Sequence, residues 1–231
     1  MAILCGDLKL LFIQTPHTGC TAIGNVLRNR FAGVRVPEQH VHDARGRLIA
    51  PRKHATLQQL MDAGLVTVKQ RESLIVAAGV RNPFDMVTTE FVRTTGTEDP
   101  RRRRKGTDEP PPVQAARRGP PPTEFEPWLE WRFGGGSRHR LRGQRYVEPP
   151  DFAAGADNVI RFERLQADFD ALMARVGVKE RVEIAVVNTT VGRHGRHYAT
   201  FYTPGARRIV EAVYGGWIER FGYRFEDRPA A

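Results

Sequence analysis

Short apolar runs and longer amphipathic segments follow one another along the chain. The runs Leu8–Thr15, Ser73–Val80 and Val159–Phe162 have the length and the largely apolar character of buried strands. After each run, apolar residues recur every three or four positions, which is the spacing of an amphipathic helix. Strands interleaved with helices predict an α/β fold with a central parallel sheet flanked by helices.

Capping residues predict where four of the helices begin. A side-chain oxygen at the N-cap accepts a hydrogen bond from the first turn, and proline is favoured at the first helical position. A Thr followed three residues later by Gln or Glu has the spacing of a capping box. The cap pairs are Thr56 with Gln59, Asn82 with Pro83, Thr123 with Glu126, and Thr203 with Pro204. They predict helices over 57–63, from 83 to about 93, over 125–133, and from 204 to about 221.

One segment differs from the rest in composition. Residues 94–122 hold seven of the sixteen prolines and no Leu, Ile, Met, Phe, Tyr or Trp. Such a segment buries too little apolar surface to offset its ordering entropy, so we expect a mobile loop rich in proline and arginine. The length of 231 residues is within the roughly 250 that a single core supports. We therefore predict one domain over residues 1–231, interrupted by this loop.

Charge and composition narrow the class of protein. The formal net charge is +10, which favours a polyanionic partner such as a nucleotide, a nucleic acid, a sulfated glycan or an acidic membrane surface. No apolar run approaches the ~20 residues of a membrane span, and no basic segment precedes a long apolar stretch at the N-terminus. We expect a cytoplasmic protein without a membrane span. Its two cysteines, Cys5 and Cys20, are expected to be reduced thiols.

The segment between the first strand and the first helix is a candidate anion site. Residues 15–21 follow a buried strand and precede a helix, and the amides of a helix N-terminus bind phosphates. Gly19 permits close approach of the backbone to an anion, and Thr18 and Thr21 carry hydroxyls. The lysine and the glycine spacing of a Walker A loop are missing. On this loop alone, an ordinary strand-to-helix turn is an equally good interpretation.

Four segments resemble the sulfotransferases that use 3′-phosphoadenosine 5′-phosphosulfate. Residues 15–21 are similar to the family's 5′-phosphosulfate loop, Pro-Lys-Ser/Thr-Gly-Ser/Thr-Thr, and residues 80–91 to its 3′-phosphate motif, which begins Val-Arg-Asn/Asp-Pro. Residues 159–169 resemble the family's Arg-Phe/Tyr-Glu-x-Leu-x-x-Asp-Phe segment. Residues 197–225 resemble the C-terminal region of its carbohydrate-type branch. Together, the resemblance covers most of 9–93 and 124–225.

The resemblance implies the P-loop-like fold of the sulfotransferases. It also implies transfer of a sulfuryl group from 3′-phosphoadenosine 5′-phosphosulfate to a hydroxyl-bearing acceptor, such as a glycan or a small molecule. Neither a metal nor a specific nucleic acid is expected. The implied 5′-phosphate ligands are Thr18, Gly19, Cys20 and Thr21, the 3′-phosphate ligands are Arg81 and Thr89, and the second-tier phosphate ligands are Arg193 and Arg196.

Two histidines carry the expected chemistry. His17 stands where the family has a lysine at the leaving phosphate, so the positive charge there depends on an imidazole, whose ordinary pKa is near ~6.5. His54 precedes the predicted cap at Thr56, in a segment that resembles the catalytic-histidine segment of uronyl 2-O-type sulfotransferases. A helix N-terminus disfavours the imidazolium, so we expect His54 to be the general base. The competing candidates are His40 and His42, for which a metal site is a further interpretation.

Two other classes of protein remain open. A basic nucleotide- or nucleic-acid-binding protein with a degenerate, inactive site would carry the same charge and the same loop. A phosphoryl-transfer enzyme is disfavoured, because neither a Walker lysine nor an evident magnesium-binding acid follows the loop.

Overall fold

The computed structural model describes residues 2–96, 119–135, 145–187 and 190–226. These residues form two compact units. The first unit runs to Arg81 and resumes from Pro150 to Val187, and the second contains the described residues from Asn82 to Pro149 and from Thr190 to Glu226. Most of the predicted loop 94–122 lies outside the described residues, so its mobility stays a prediction. The single domain over residues 1–231 also stays a prediction.

A five-stranded sheet forms the centre of the first unit. The strands are β1 (Ala2–Cys5), β2 (Leu10–Ile13), β3 (Val34–Val36), β4 (Val41–His42), β5 (Leu48–Ala50), β6 (Ile75–Val80) and β7 (Asn158–Arg161). The order in the sheet is β3-β1-β2-β6-β7, and β4 pairs with β5 in a separate hairpin. The three strands predicted from the sequence, β2, β6 and β7, are parallel neighbours. An α/β architecture is therefore confirmed.

The sheet is mixed rather than parallel throughout, which corrects the sequence-based expectation. Strand β1 runs antiparallel to both β2 and β3. In the turn between β1 and β2, the amide of Lys9 donates to the carbonyl of Gly6 at 3.0 Å. A turn this tight joins only antiparallel strands, because a parallel pair needs a crossover of about a dozen residues or more. Strand β1 therefore runs against the parallel core, and β3, on its other side, runs in the same direction as β2.

The helices begin close to the residues that the caps predict. They are α1 (Cys20–Arg30), α2 (Leu57–Asp62), α3 (Val68–Ser73), α4 (Pro83–Thr95), α5 (Phe125–Phe133), α6 (Leu165–Arg175) and α7 (Pro204–Phe221). Short 3-10 turns occupy Phe162–Arg164, Val191–Arg193 and Tyr198–Phe201. Within the described part of the chain, none of the helices has the length and apolarity needed to cross a membrane.

Three of the four predicted caps are present, and one is wrong. The confirmed caps are Thr56 with Gln59, Asn82, and Thr203. The box predicted at Thr123 is not formed, because α5 begins after Glu124, which makes no side-chain cap bond. The carboxylate of Glu126 instead accepts a hydrogen bond from the Thr203 hydroxyl. Glu126 therefore bonds to a side chain that is distant in sequence.

Helices α1 and α6 pack their apolar faces on the sheet of the first unit. Ile23 and Leu27 of α1 are buried in one cluster with Phe169 and Leu172 of α6 and Phe12 of β2. A fully buried side chain of this kind contributes about 1.5–3 kcal/mol. This packing fixes each strand end relative to the helix that follows it.

Helices α4, α5 and α7 form the core of the second unit. Phe84 and Phe91 of α4, Trp128 of α5 and Val210 of α7 are buried in one cluster. The rings of Phe91 and Trp128 meet edge to face, with centroids 5.5 Å apart, an arrangement that aromatic quadrupoles favour. Helix α4 continues to Thr95, slightly beyond the predicted end.

Asp157 ties β7 to β6 and to α3, and its removal is expected to destabilise the first unit. Its carboxylate accepts hydrogen bonds from the amide of Val76 at 2.8 Å and from the Arg71 guanidinium at 2.8 Å. Burial opposes ionisation, but the bonds from Arg71 and Val76 outweigh it and hold the pKa of Asp157 below its usual value. We expect Asp157→Asn to lower the free energy of unfolding by about 1–2 kcal/mol at pH 7.

This destabilisation is expected to depend on pH. Because the pKa of Asp157 is lower in the folded state, its stabilisation is complete above the unfolded-state pKa of ~3.9 and is lost as the pH falls through the folded-state pKa. Urea unfolding of wild type and variant between pH 7 and about 3 measures the difference. Glu180→Gln, in the exposed pair with Arg30, is the control and should change stability by less than about 1 kcal/mol. A pH-independent effect of Asp157→Asn would contradict a role for the charge.

Candidate functional site

The carboxyl ends of three parallel strands meet at one edge of the sheet in the first unit. The segment 14–19 follows β2, Arg81 follows β6, and Phe162 follows β7. Ligands of open α/β sheets bind at this edge, where strands end and helices begin. The parallel order of β2, β6 and β7 therefore brings the predicted loop and the predicted arginine together.

The loop after β2 takes backbone conformations that suit close approach to a ligand. Gly19, the residue before α1, has φ +74°, in the left-handed region that glycine enters without penalty. A Cβ at Gly19 would lie 3.1 Å from the Leu165 side chain and 3.4 Å from that of Phe162. His17 also has a positive φ, +61°. The loop therefore favours glycine at residue 19 for its conformation, and a side chain there would also press on Leu165.

Two threonine hydroxyls lie inside the loop rather than on its surface. The Thr18 side chain is 0% exposed, and its hydroxyl donates to the carbonyl of Thr15 at 2.9 Å. The Thr15 hydroxyl is buried and has no hydrogen-bond partner among the described residues, a costly state for a polar group. Thr18 therefore stabilises the loop itself, and its predicted contact with a 5′-phosphate stays a prediction.

The first turn of α1 supplies donors and adds no negative charge. The first amides of a helix have no intrahelical acceptor and carry part of the positive end of its dipole. Cys20 and Thr21 are the first two residues of α1. Burial raises the pKa of the Cys20 thiol to about 11, so the thiol is neutral near pH 7. The turn is therefore electrostatically suited to an anion.

Arg81 is buried against this loop. Its side chain is 6% exposed, its Nη1 donates to the His17 carbonyl at 2.7 Å, and its guanidinium lies 3.9 Å from the centroid of the Phe162 ring. Stacking on an aromatic face and hydrogen bonding to a carbonyl fix the plane of the guanidinium. Arg81 thus brings a permanent positive charge to the loop and helps to hold the conformation of His17.

The hydrogen bond of His54 determines which of its ring nitrogens carries the proton. His54 Nδ1 lies 2.8 Å from the carbonyl oxygen of Gln14. A carbonyl only accepts, so Nδ1 carries the proton, and Nε2 of the neutral ring has the lone pair. The expected influence of a helix N-terminus is weak here, because α2 has only six residues. The role of His54 as a base stays a prediction, and the Gln14 bond supports it better than the short helix does.

Gln14 connects His54 to the loop, and none of the sequence motifs includes it. Its side-chain Nε2 donates to the Cys20 carbonyl at 2.8 Å, while its own carbonyl accepts from His54. A Cβ at Gly24 would lie 2.4 Å from that Nε2, so a glycine in α1 makes room for the amide. A polar residue at the end of a buried apolar run was the available signal.

The remaining predicted ligands belong to the second unit. Thr89 is 2% exposed, and its hydroxyl donates to the Asp85 carbonyl at 3.0 Å. Arg193 forms an ion pair with the Asp85 carboxylate, and Arg196 lies over the Phe201 ring at 4.6 Å. These contacts stabilise the second unit, and the roles of Thr89, Arg193 and Arg196 as phosphate ligands stay predictions.

The competing histidines lie near the hairpin of β4 and β5. His40 and His42 are exposed, their ring centroids are 6.2 Å apart, and His40 Nδ1 accepts from the Arg52 amide at 3.1 Å. Among the residues with described positions, no three His, Cys, Asp or Glu side chains are grouped so that they could hold a metal ion. Neither histidine makes a described contact with the loop that contains Gly19.

The first unit thus brings together Thr18, Gly19, Cys20, Thr21, Arg81, His17 and His54. Gln14 and Phe162 belong to the same group. So does Gly79, where a Cβ would lie 2.4 Å from the Thr18 hydroxyl oxygen. Of these three residues, only Phe162 stood within a motif noted from the sequence. Comparisons of the chain with protein-family models, with curated proteins and with solved structures found no match.

Proposed function

We propose that the chain is a sulfotransferase, which moves the sulfuryl group of 3′-phosphoadenosine 5′-phosphosulfate to a hydroxyl of its acceptor. The observation that carries the proposal is the grouping at one sheet edge of the α1 N-terminus, Arg81 and a histidine with its proton on Nδ1. The identity of the donor is supported by the likeness of residues 15–21 and 80–91 to the sulfotransferase motifs.

The proposed reaction is an in-line displacement at sulfur. The acceptor oxygen forms a bond to sulfur while the bond between sulfur and the bridging phosphate oxygen breaks, and that oxygen keeps the electron pair. His54 Nε2 takes the proton of the acceptor hydroxyl, which is the task of a general base. The amides of α1, with His17 in the place of the family's lysine, stabilise the charge that develops on the departing 5′-phosphate, while Arg81 binds the 3′-phosphate.

A second candidate function is binding of the nucleotide without turnover. The observation that favours it is His17, which stands where the sulfotransferases have a lysine. An imidazole carries a full positive charge only below its pKa, whereas a lysine is charged throughout the physiological range. Turnover with any acceptor separates this candidate from the enzyme, since both bind the nucleotide.

Adenosine 3′,5′-bisphosphate is expected to stabilise the protein more than ATP or adenosine 5′-monophosphate. A ligand that binds only the folded state adds about 2.7 kcal/mol at one hundred times its dissociation constant. Arg81→Ala should remove most of the preference for the bisphosphate, because it removes the proposed 3′-phosphate partner. Melting temperatures with each nucleotide at equal concentration measure the preference.

The matched control for this experiment is Arg30→Ala. Arg30 is an exposed residue at the end of α1, where it pairs with Glu180 at 2.9 Å. Its replacement removes the same charge from the same unit and should leave the nucleotide preference intact. Equal melting shifts with all three nucleotides, or an Arg81→Ala protein that still prefers the bisphosphate, would defeat the assignment.

A further inference from the structure

A basic cleft lies next to His54 in the first unit. Its volume is about 220 Å³, which is smaller than the ~300–1,000 Å³ of pockets for drug-sized ligands. A group the size of a single sugar ring therefore suits it better than an extended ligand. The polar side chains that line it include those of Gln14, Thr21, Asn25, Arg28, Arg35, Lys53 and His54.

The charge of this cleft has one sign. Arg28, Arg35 and Lys53 line it, and none of its described lining residues is an aspartate or a glutamate. A cleft with charges of one sign focuses the field and raises the local concentration of counter-ions. An anionic group is therefore the ligand chemistry that the lining favours.

Arg28 and Arg35 differ in their partners from Arg30 and Arg47, two other arginines of this unit. Arg28 donates to the amide oxygen of Asn25 at 2.9 Å, and neither Arg28 nor Arg35 forms an ion pair within the described residues. By contrast, Arg30 pairs with Glu180 and Arg47 pairs with Asp43. Within the described part of the chain, no carboxylate therefore neutralises the two guanidiniums that line the cleft.

The position of the cleft relates it to the proposed reaction. His54 and Thr21 line it together with the arginines, so it lies between the proposed base and the first turn of α1. A ring held there by a charge on one side would have its hydroxyls next to the imidazole. Holding the acceptor in this way supplies the orientation that a displacement needs.

We propose that this cleft binds the acceptor and selects acceptors that carry an anionic group, with Arg28 and Arg35 as the specificity-determining residues. The inference rests on the proposed function, since it takes His54 as the base for the acceptor's hydroxyl. Guanidinium and carboxylate form charge-assisted hydrogen bonds, which are stronger than the neutral bonds that an uncharged sugar makes. The acceptor class is thus a small polyol, or a terminal sugar, with a carboxylate, sulfate or phosphate group.

The test compares D-glucuronate with D-glucose, which differ in one carboxylate. Saturation-transfer NMR on the whole chain measures the affinity for each, without and with saturating adenosine 3′,5′-bisphosphate. Glucuronate should bind at least roughly tenfold more tightly, and Arg28→Gln and Arg35→Gln should each weaken it by roughly tenfold, because each removes a charge-assisted bond. Arg30→Gln, on the same helix as Arg28, is the matched control and should leave the affinity unchanged.

The other possible NMR results would overturn either this inference or the proposed function. Equal affinity for glucose and glucuronate, no binding of glucuronate, or insensitivity to both arginine variants would overturn the inference. Displacement of glucuronate by the bisphosphate would also overturn it, because the cleft would then belong to the nucleotide. If glucuronate binds as expected and the bisphosphate binds no better than ATP, the proposed function fails and the anion-selective cleft stands.

Discussion

Replacing His54 with asparagine is expected to lower turnover by roughly 10²–10⁴-fold, the usual contribution of a general base. The variant should keep its affinity for adenosine 3′,5′-bisphosphate, since His54 is not a proposed contact of the nucleotide. Asparagine suits this position, because His54 has φ +57° and asparagine tolerates the left-handed region better than alanine does. Its side-chain amide can still donate to the Gln14 carbonyl, but it has no basic nitrogen.

The asparagine variant distinguishes a catalytic role of His54 from a positioning role. If His54 only holds the segment before α2 against Gln14, asparagine preserves that bond and turnover stays near the wild-type rate. If Nε2 accepts the proton, His54→Asn and His54→Ala are both slow, while both bind the bisphosphate. His42→Ala tests the competing histidine and should retain turnover. The measurements are the rate of transfer to an acceptor and nucleotide affinity by calorimetry. A fast His54→Asn together with a slow His42→Ala would move the base to His42.

The elements that the sequence predicted are those with a continuous apolar pattern. Strands β2 and β6 are runs of almost entirely buried residues, and α1 and α6 bury one face against them. A strand that is buried at every position appears in the sequence as a continuous apolar run. A helix that is buried along one stripe appears as apolar residues that recur every three or four positions. The three strands of the parallel core could therefore be predicted from the sequence alone.

The missed elements lack such a pattern. Strand β3 has three residues, and Val34 and Arg35 are exposed, so only its pairing with β1 defines it. Helix α3 has no buried residue, although Thr67 and Gln70 form a complete capping box that the sequence displays. Because α3 has no apolar face, its sequence shows no helical spacing of apolar residues, and the capping box alone did not lead to a predicted helix. The direction of β1 likewise depends on a single turn rather than on any repeat.

Some residues of the candidate site could be predicted from the sequence, whereas the contacts between them could not. The loop and Arg81 were found because each directly follows a buried strand, and parallel strand ends meet at one edge. The bond between His54 and Gln14 joins residues that are forty positions apart. The stack of Arg81 on Phe162 likewise joins two strand ends through the fold. Such contacts depend on how the chain folds back on itself, which no local pattern contains.

Gly79 is expected to control the shape of the loop from within β6. A Cβ at this position would lie 2.4 Å from the Thr18 hydroxyl oxygen and 3.0 Å from the Thr18 Cβ. Thr18 cannot easily move, because it is fully buried and its hydroxyl bonds to the Thr15 carbonyl. We expect Gly79→Ala to lower the free energy of unfolding by about 1–3 kcal/mol, the usual cost of overpacking. It should also weaken bisphosphate binding, since relief of the contact must displace the loop.

A double-mutant cycle tests whether the contact with Thr18 is the cause. Thr18→Ala removes the oxygen at 2.4 Å and leaves the Cβ at 3.0 Å and the Thr18 backbone oxygen at 3.7 Å. It should therefore restore part of the stability that Gly79→Ala loses. The coupling should fall within the roughly 0.5–3 kcal/mol seen for residues in contact. Gly6→Ala is the control, because a Cβ at Gly6 would meet nothing within 4 Å. Urea unfolding of the four proteins gives the coupling. Additive losses would mean that the methyl group destabilises the strand without pressing on Thr18, and the close packing of β6 against the loop could then not be what fixes the loop's shape.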